Sequence, residues 1–75
     1  MKELVTFMAK NLVGDPSQVQ VEEIERPYVT VLRLSVAQED MGRVIGKGGR
    51  VANAMRSLLR VAAVREGRRV MLDIV

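Results

Sequence analysis

Val44-Ile45-Gly46-Lys47-Gly48-Gly49-Arg50 is the one stretch whose residue types and spacing could carry specific chemistry. Three glycines surround a lysine, an apolar pair precedes them, and an arginine follows. Glycine lets the backbone take unusual conformations and approach a ligand closely. A Gly-Lys-Gly-Gly turn that opens a helix can present backbone N–H groups, a helix N-terminus and a positive side chain to one phosphate. Arg43, one helical turn before Lys47, and Arg50 add charge. Catalysis has far less to work with. The chain has no histidine and no cysteine, and Ser17, Ser35 and Ser57 have no identifiable base. No catalytic residue, metal site or cofactor is expected, and the protein is read as a non-enzyme.

Three phosphate-binding arrangements compete for the glycine turn. A P-loop requires G-x-x-x-x-G-K-[ST]. Here Gly48 follows Lys47, and Met41 stands where the first glycine should be. A dinucleotide fingerprint requires G-x-G-x-x-G, and its third glycine would fall on Val51. The third arrangement is a G-x-x-G turn between two helices, Gly46-Lys47-Gly48-Gly49. Such a turn clamps the backbone of four nucleotides in the KH module.

The elements around the turn follow from hydrophobic periodicity. Leu4, Met8 and Leu12, with Val5 beside them, predict a helix from Lys2 to about Leu12. Gly14-Asp15-Pro16 should end it, with the glycine as C-terminal cap. Gln18 to Arg26 reads as a strand whose alternation fails at Glu22-Glu23-Ile24-Glu25, which predicts an irregular or edge strand. Tyr28 to Val36 gives the strongest strand pattern, with Tyr28, Thr30, Leu32, Leu34 and Val36 on one face. A short helical segment spans about Gln38 to Ile45, with Glu39 and Asp40 at its start.

A longer helix should run from about Arg50 to Val64, with Val51, Ala54, Met55, Leu58 and Ala62 as its apolar stripe. Leu59, Val61, Ala63 and Val64 spread beyond that stripe, so the helix is expected to contribute a second face to an interface. Glu66-Gly67 forms a turn, and Arg69 to Val75 a last strand with Val70, Leu72 and Ile74 on one face. The order is α-β-β-α-α-β, an α+β domain over residues 1–75 with its helices packed on one face of a small sheet.

Composition bounds the rest. Seventy-five residues make at most one domain, which buries only ~60% of its unfolded surface and is marginal unless it packs well or pairs. No run approaches the ~18 apolar residues of a membrane span. With no cysteine, the expectation is a soluble, cytoplasmic protein with no membrane partner. Charge is uneven: residues 1–40 carry four basic and seven acidic side chains, and residues 41–75 carry eight and two. An overall +3 thus hides a basic C-terminal half, which points to a local anionic partner. A solvated arginine-rich helix would give the same count.

Val44-Ile45-Gly46-Lys47-Gly48-Gly49 resembles the V-I-G-K-x-G core of KH domains, and the element order resembles their type II, prokaryotic form. Glu39-Asp40-Met41-Gly42-Arg43 and the continuation Gly49-Arg50-Val51-Ala52-Asn53-Ala54-Met55-Arg56 resemble one bacterial family, the small single-KH proteins of the KhpA (YlqC-like) type. The resemblance covers essentially the whole chain. Many KH domains carry their bulky apolar residue three positions after the last glycine; here Val51 stands at two, as in this subgroup.

The resemblance implies a three-stranded mixed sheet and binding of single-stranded RNA, as an RNA chaperone or post-transcriptional regulator. It implies a homodimer, or a heterodimer with a second KH-containing protein (KhpB, also called Jag or EloR). It also implies a link to cell-wall and cell-shape control. Its RNA-binding set falls on Arg43, Ile45, Gly46, Lys47, Gly48, Gly49, Arg50 and Val51. Ile45 and Val51 would floor the groove, with Arg65 and Arg68 in the variable loop on its other side.

The chain has one tyrosine and one phenylalanine, so a stacking platform of the RRM or OB type is not expected. Phe7 is assigned to core or interface, Tyr28 to a structural role, and Arg56 and Arg60 to a solvated face. The competing functional class is a protein-interaction module, in which the glycine turn is only a helix elbow and the basic half meets an acidic partner.

Overall fold

The computed structural model describes residues 1–75. In chain order the elements are α1 (Lys2–Leu12), β1 (Gln20–Glu25), β2 (Thr30–Ser35), α2 (Met41–Ile45), α3 (Arg50–Arg65) and β3 (Val70–Ile74), with short 3₁₀ turns at Pro16–Gln18, Gln38–Asp40 and Lys47–Gly49. The sheet order is β1-β2-β3. β1 pairs antiparallel with β2 from Gln20↔Ser35 to Glu25↔Thr30, and β2 pairs parallel with β3 from Thr30↔Val70 to Leu34↔Ile74. This is the mixed, three-stranded α+β arrangement expected of a type II KH domain.

The three helices cover one face of the sheet. Strand residues alternate between faces, and along β2 Thr30, Leu32 and Leu34 are buried while Val31, Arg33 and Ser35 are half-exposed. The core joins Val5 and Ala9 of α1, Leu32 and Leu34 of β2, Val44 of α2, Met55 and Leu59 of α3, and Leu72 of β3. On the uncovered face, Arg33 lies between Glu22 (3.6 Å) and Asp73 (3.5 Å), one on each neighbouring strand.

Several details refine or correct the sequence reading. Gly14 does not cap α1. The C-cap is Val13, in extended conformation. Gly14 serves close packing instead: its amide donates to Asp40 Oδ1 (2.9 Å), and a Cβ there would meet Arg43 Nη1 at 3.2 Å. β1 is an edge strand, one of the two expected alternatives, and its ladder is regular. Its alternation fails because Glu23, on the helix side opposite Leu32, lies where no helix covers it and stays exposed.

Tyr28 is not on the inner face of β2. The Arg26 amide donates to the Val29 carbonyl (2.9 Å), leaving Pro27 and Tyr28 as the hairpin tip. Tyr28 is 86% exposed. Phe7 is also exposed and takes no part in the core.

The largest correction concerns α3. Its buried residues are Ala52, Met55, Leu59 and Ala63; of the expected stripe, only Met55 is fully buried, with Val51 and Ala62 half-buried. The phase slipped by one residue because α3 is apolar on two faces, so periodicity alone fits more than one stripe. Leu58 (57% exposed) and Val61 (58%) lie on the face away from the core.

Candidate functional site

The glycine turn is built by its neighbours. α2 ends where the Gly46 amide donates to the Gly42 carbonyl (2.8 Å). Gly46 then takes φ 77°, ψ 169°, a region essentially confined to glycine. A Cβ on Gly46 would sit 2.5 Å from Val51 Cγ2 and 2.7 Å from the Val51 amide nitrogen. Val51 therefore packs directly on the backbone of Gly46, and this contact folds α2 back on α3. Gly48 (φ 65°) and Gly49 (φ 81°) are also left-handed, but a Cβ on Gly48 would meet open space. The turn is closed by the Gly49 amide donating to the Gly46 carbonyl (3.1 Å).

α3 starts at this turn with Gly49 as N-cap. No side chain caps it, and no acidic residue stands in its first turn. The positive end of its dipole therefore meets the turn without a competing side chain, although the Arg50 amide already donates to the Lys47 carbonyl. Lys47 and Arg50 are exposed and take part in none of the molecule's five ion pairs. Unpaired cations, helix-end amides and a glycine backbone that admits close approach are the parts needed to hold phosphate oxygens.

Asp40, just before α2, braces that helix against the loop after α1. Its side chain is buried, and its carboxylate accepts the Gly14 amide (2.9 Å) and the Asp15 amide (3.1 Å) and faces Arg43 Nε at 3.6 Å. The Gly14 hydrogen bond leads in holding the carboxyl below its ordinary value of 3.8; burial opposes it, and the Asp15 amide and Arg43 add to the lowering. A depressed carboxyl stabilises the fold fully above its unfolded value, and the benefit is lost as pH falls through the lower folded value. Asp40→Asn is accordingly expected to lower the melting midpoint at neutral pH. The gap to wild type should close as pH drops below about 3.8; equal midpoints at pH 7 would refute the brace.

The structure gathers most of the expected site residues. Val44 is fully buried while Ile45 is 38% exposed, so the apolar pair splits between core and surface. Val51 is half-buried against Gly46. Arg43 turns back toward Asp40 and Gly14. Arg65 and Arg68 lie at the far end of α3. The Arg68 amide donates to the Ala63 carbonyl (2.8 Å) and the Gly67 amide to that of Val64 (3.1 Å), a Schellman closure with Gly67 left-handed. Arg68 pairs with Glu25 at 3.8 Å. Arg65 follows Leu58 and Val61 by seven and four positions, and so shares their face rather than that of Arg56 and Arg60.

Arg56 is exposed, as its spacing suggested, and it also reaches across to the sheet. Its Nε donates to the Leu72 carbonyl (3.3 Å) on β3, the open edge of the sheet. A cleft of about 150 Å³ between α3 and β3 is lined by Arg56, Leu59, Arg60, Val70, Met71 and Leu72. Asn53, Arg56 and Arg60 recur at helical spacing, which was the available signal. β1, with Glu22 and Glu23, occupies the opposite edge, and of its acids only Glu25, at its end, reaches Arg68. Sheet order thus carries the acidic strand away from the basic cleft.

No helix is long and apolar enough to cross a membrane. Comparison with known proteins gives one consistent result. The family model for the KH domain of KhpA/KhpB matches residues 2–74. The chain is 48% identical to the RNA-binding protein KhpA of Clostridium acetobutylicum and 48% identical to that of Caldanaerobacter subterraneus, in each case over 75 residues and the whole of both chains. It is 42% identical to the RNA-binding protein KhpA of Chlamydia pneumoniae over 74 residues, 99% of this chain and 95% of the relative. No solved structure matches the chain significantly. Matched over residues 2–74 by the family model and over all or nearly all of its length by these relatives, the chain belongs to the KhpA/KhpB KH-domain family.

Proposed function

We propose that residues 1–75 act in the cytoplasm as a single KH domain that clamps short single-stranded RNA, as an RNA chaperone or post-transcriptional regulator. The observation that carries this reading is the Gly46–Gly49 turn at the uncapped start of α3, with unpaired Lys47 and Arg50 beside it and the α3–β3 cleft beyond. Phosphates lie on the turn and bases enter the cleft, where the open edge of β3 offers backbone hydrogen-bonding groups. The relatives' name, RNA-binding protein, supports the assignment. Titration of a labelled single-stranded RNA across salt concentrations tests it. Two or three phosphate contacts predict a slope of log K against log salt of roughly −1.4 to −2. A slope near zero would remove the phosphate clamp.

One groove with few phosphate contacts binds weakly, and two linked grooves gain by avidity. The back face of α3, with Ala54, Leu58 and Val61 at helical spacing and exposed, supplies the surface for pairing with a second copy or a second KH protein. Val61→Glu is expected to leave a monomer in sedimentation at micromolar concentration. It should weaken binding to RNA long enough for two grooves while sparing short RNA. A variant that sediments as wild type does would exclude this face. The role in cell-wall and cell-shape control is read through the same variants, as a change in cell width in a strain carrying them.

A further inference from the structure

Tyr28 is the chain's only tyrosine, the chain has no tryptophan, and its ring is left in water at a hairpin tip. Around it the fold gathers cations. Tyr28, Arg60, Val64, Arg68, Arg69 and Met71 line a cavity of about 530 Å³, within the range of small-ligand sites. A second hollow of about 380 Å³ is bordered by Tyr28, Arg68 and Arg69 together with Arg26. Arg60 and Arg69 form no ion pair, and Glu25, the one acidic residue lining either hollow, is paired with Arg68. Arg60 and Met71 also line the α3–β3 cleft, so the cavity continues that cleft. Arg60 lies ten residues along α3 from Arg50, about 15 Å at helical rise.

We propose that this cavity is an end site for one further nucleotide of the bound RNA, whose base stacks on Tyr28 and whose phosphate meets Arg60, Arg68 or Arg69. The inference rests on the RNA-binding reading and extends it beyond the four nucleotides that a KH clamp holds. An aromatic face beside unpaired arginines and an apolar wall matches a nucleotide, which has a π-face and an anion. A purely apolar partner would leave the arginines unpaired.

The test compares an adenine-rich RNA of about four nucleotides with one roughly twice that length, on wild type, Tyr28→Ala and Tyr28→Phe. Tyr28 makes no side-chain hydrogen bond and is exposed, so both variants should fold. Tyr28→Ala is expected to weaken binding of the longer RNA about five- to a hundredfold and leave the shorter unchanged, while Tyr28→Phe behaves as wild type. Intrinsic tyrosine emission should be quenched by the longer RNA only. Unchanged affinity in Tyr28→Ala with unquenched emission would overturn the end site while leaving the clamp intact. Failure of wild type to bind either RNA would overturn the clamp, and the end site with it. Emission that responds to polyglutamate but not to RNA would assign the cavity to an acidic protein and overturn the proposal.

Discussion

Replacing Lys47 and Gly48 together by aspartate is expected to weaken RNA binding about a hundredfold or more while the fold stays intact. The pair changes the charge at the turn by three units, from one cation to two anions. A unit charge about 4 Å from another is worth about 1 kcal/mol in water and more where water is partly excluded. Three such changes amount to about 3 kcal/mol, roughly two orders of magnitude in affinity. Stability should change little. Gly48 is left-handed, and a Cβ there meets open space; aspartate tolerates that conformation better than most residues, at a cost of about 1 kcal/mol. A negative charge at position 47 also suits the start of α3. The measurement pairs RNA titration with far-ultraviolet circular dichroism. Wild-type affinity in the double variant would show that the turn is not the clamp.

Gly46→Ala should do the opposite, acting on the fold first. The substitution places a Cβ 2.5 Å from Val51 Cγ2 and 2.7 Å from the Val51 amide nitrogen, and requires a backbone region that only glycine occupies easily. The conformation alone costs about 1–3 kcal/mol, and part of the clash falls on the Val51 backbone nitrogen, which cannot swing away. A total of about 3 kcal/mol or more is a large part of the roughly 5–15 kcal/mol that holds a small domain together. For a domain of this size it corresponds to a drop of more than about 10 °C in melting midpoint. Gly48→Ala, with no such contact, should cost only about 1 kcal/mol. If the two alanine variants melted together, the packing of Val51 on Gly46 would be wrong. The comparison separates two uses of glycine in one turn: Gly46 lets two helices touch, and Gly48 leaves the outer surface bare.

Much of this could be read from local patterns. The order of elements followed from the change between periods of two and of about 3.6, and the breaks from Gly14-Asp15-Pro16, Arg26-Pro27 and Glu66-Gly67. The turn at Gly46–Gly49 was legible because its neighbours along the chain build it. Errors arose where the answer depends on distant chain. Gly14 resembled a helix cap, but its close approach to Asp40 and Arg43 comes from residues more than twenty-five positions away. α3 offered two apolar faces, and only the sheet beneath it selects Ala52, Met55, Leu59 and Ala63 for the core. Arg56 is exposed as its spacing suggested, but its hydrogen bond to Leu72 was not legible because nothing local shows that the β3 edge lies beside it.

Local conformational chemistry, carried by glycine, proline and hydrophobic period, was therefore sufficient to specify the elements and the glycine turn between α2 and α3. These depend on dihedral preference and nearest neighbours, which the chain states directly. The wider surface did not follow from the same rules. Sheet order sets the acidic β1 and the basic cleft at opposite edges, and the Schellman turn after α3 brings Arg68 and Arg69 beside Tyr28. An aromatic-poor composition argued against stacking, yet the single tyrosine stands exposed among arginines contributed by two other elements. Such neighbours lie far apart along the chain and meet only through packing, which the local side-chain pattern does not encode.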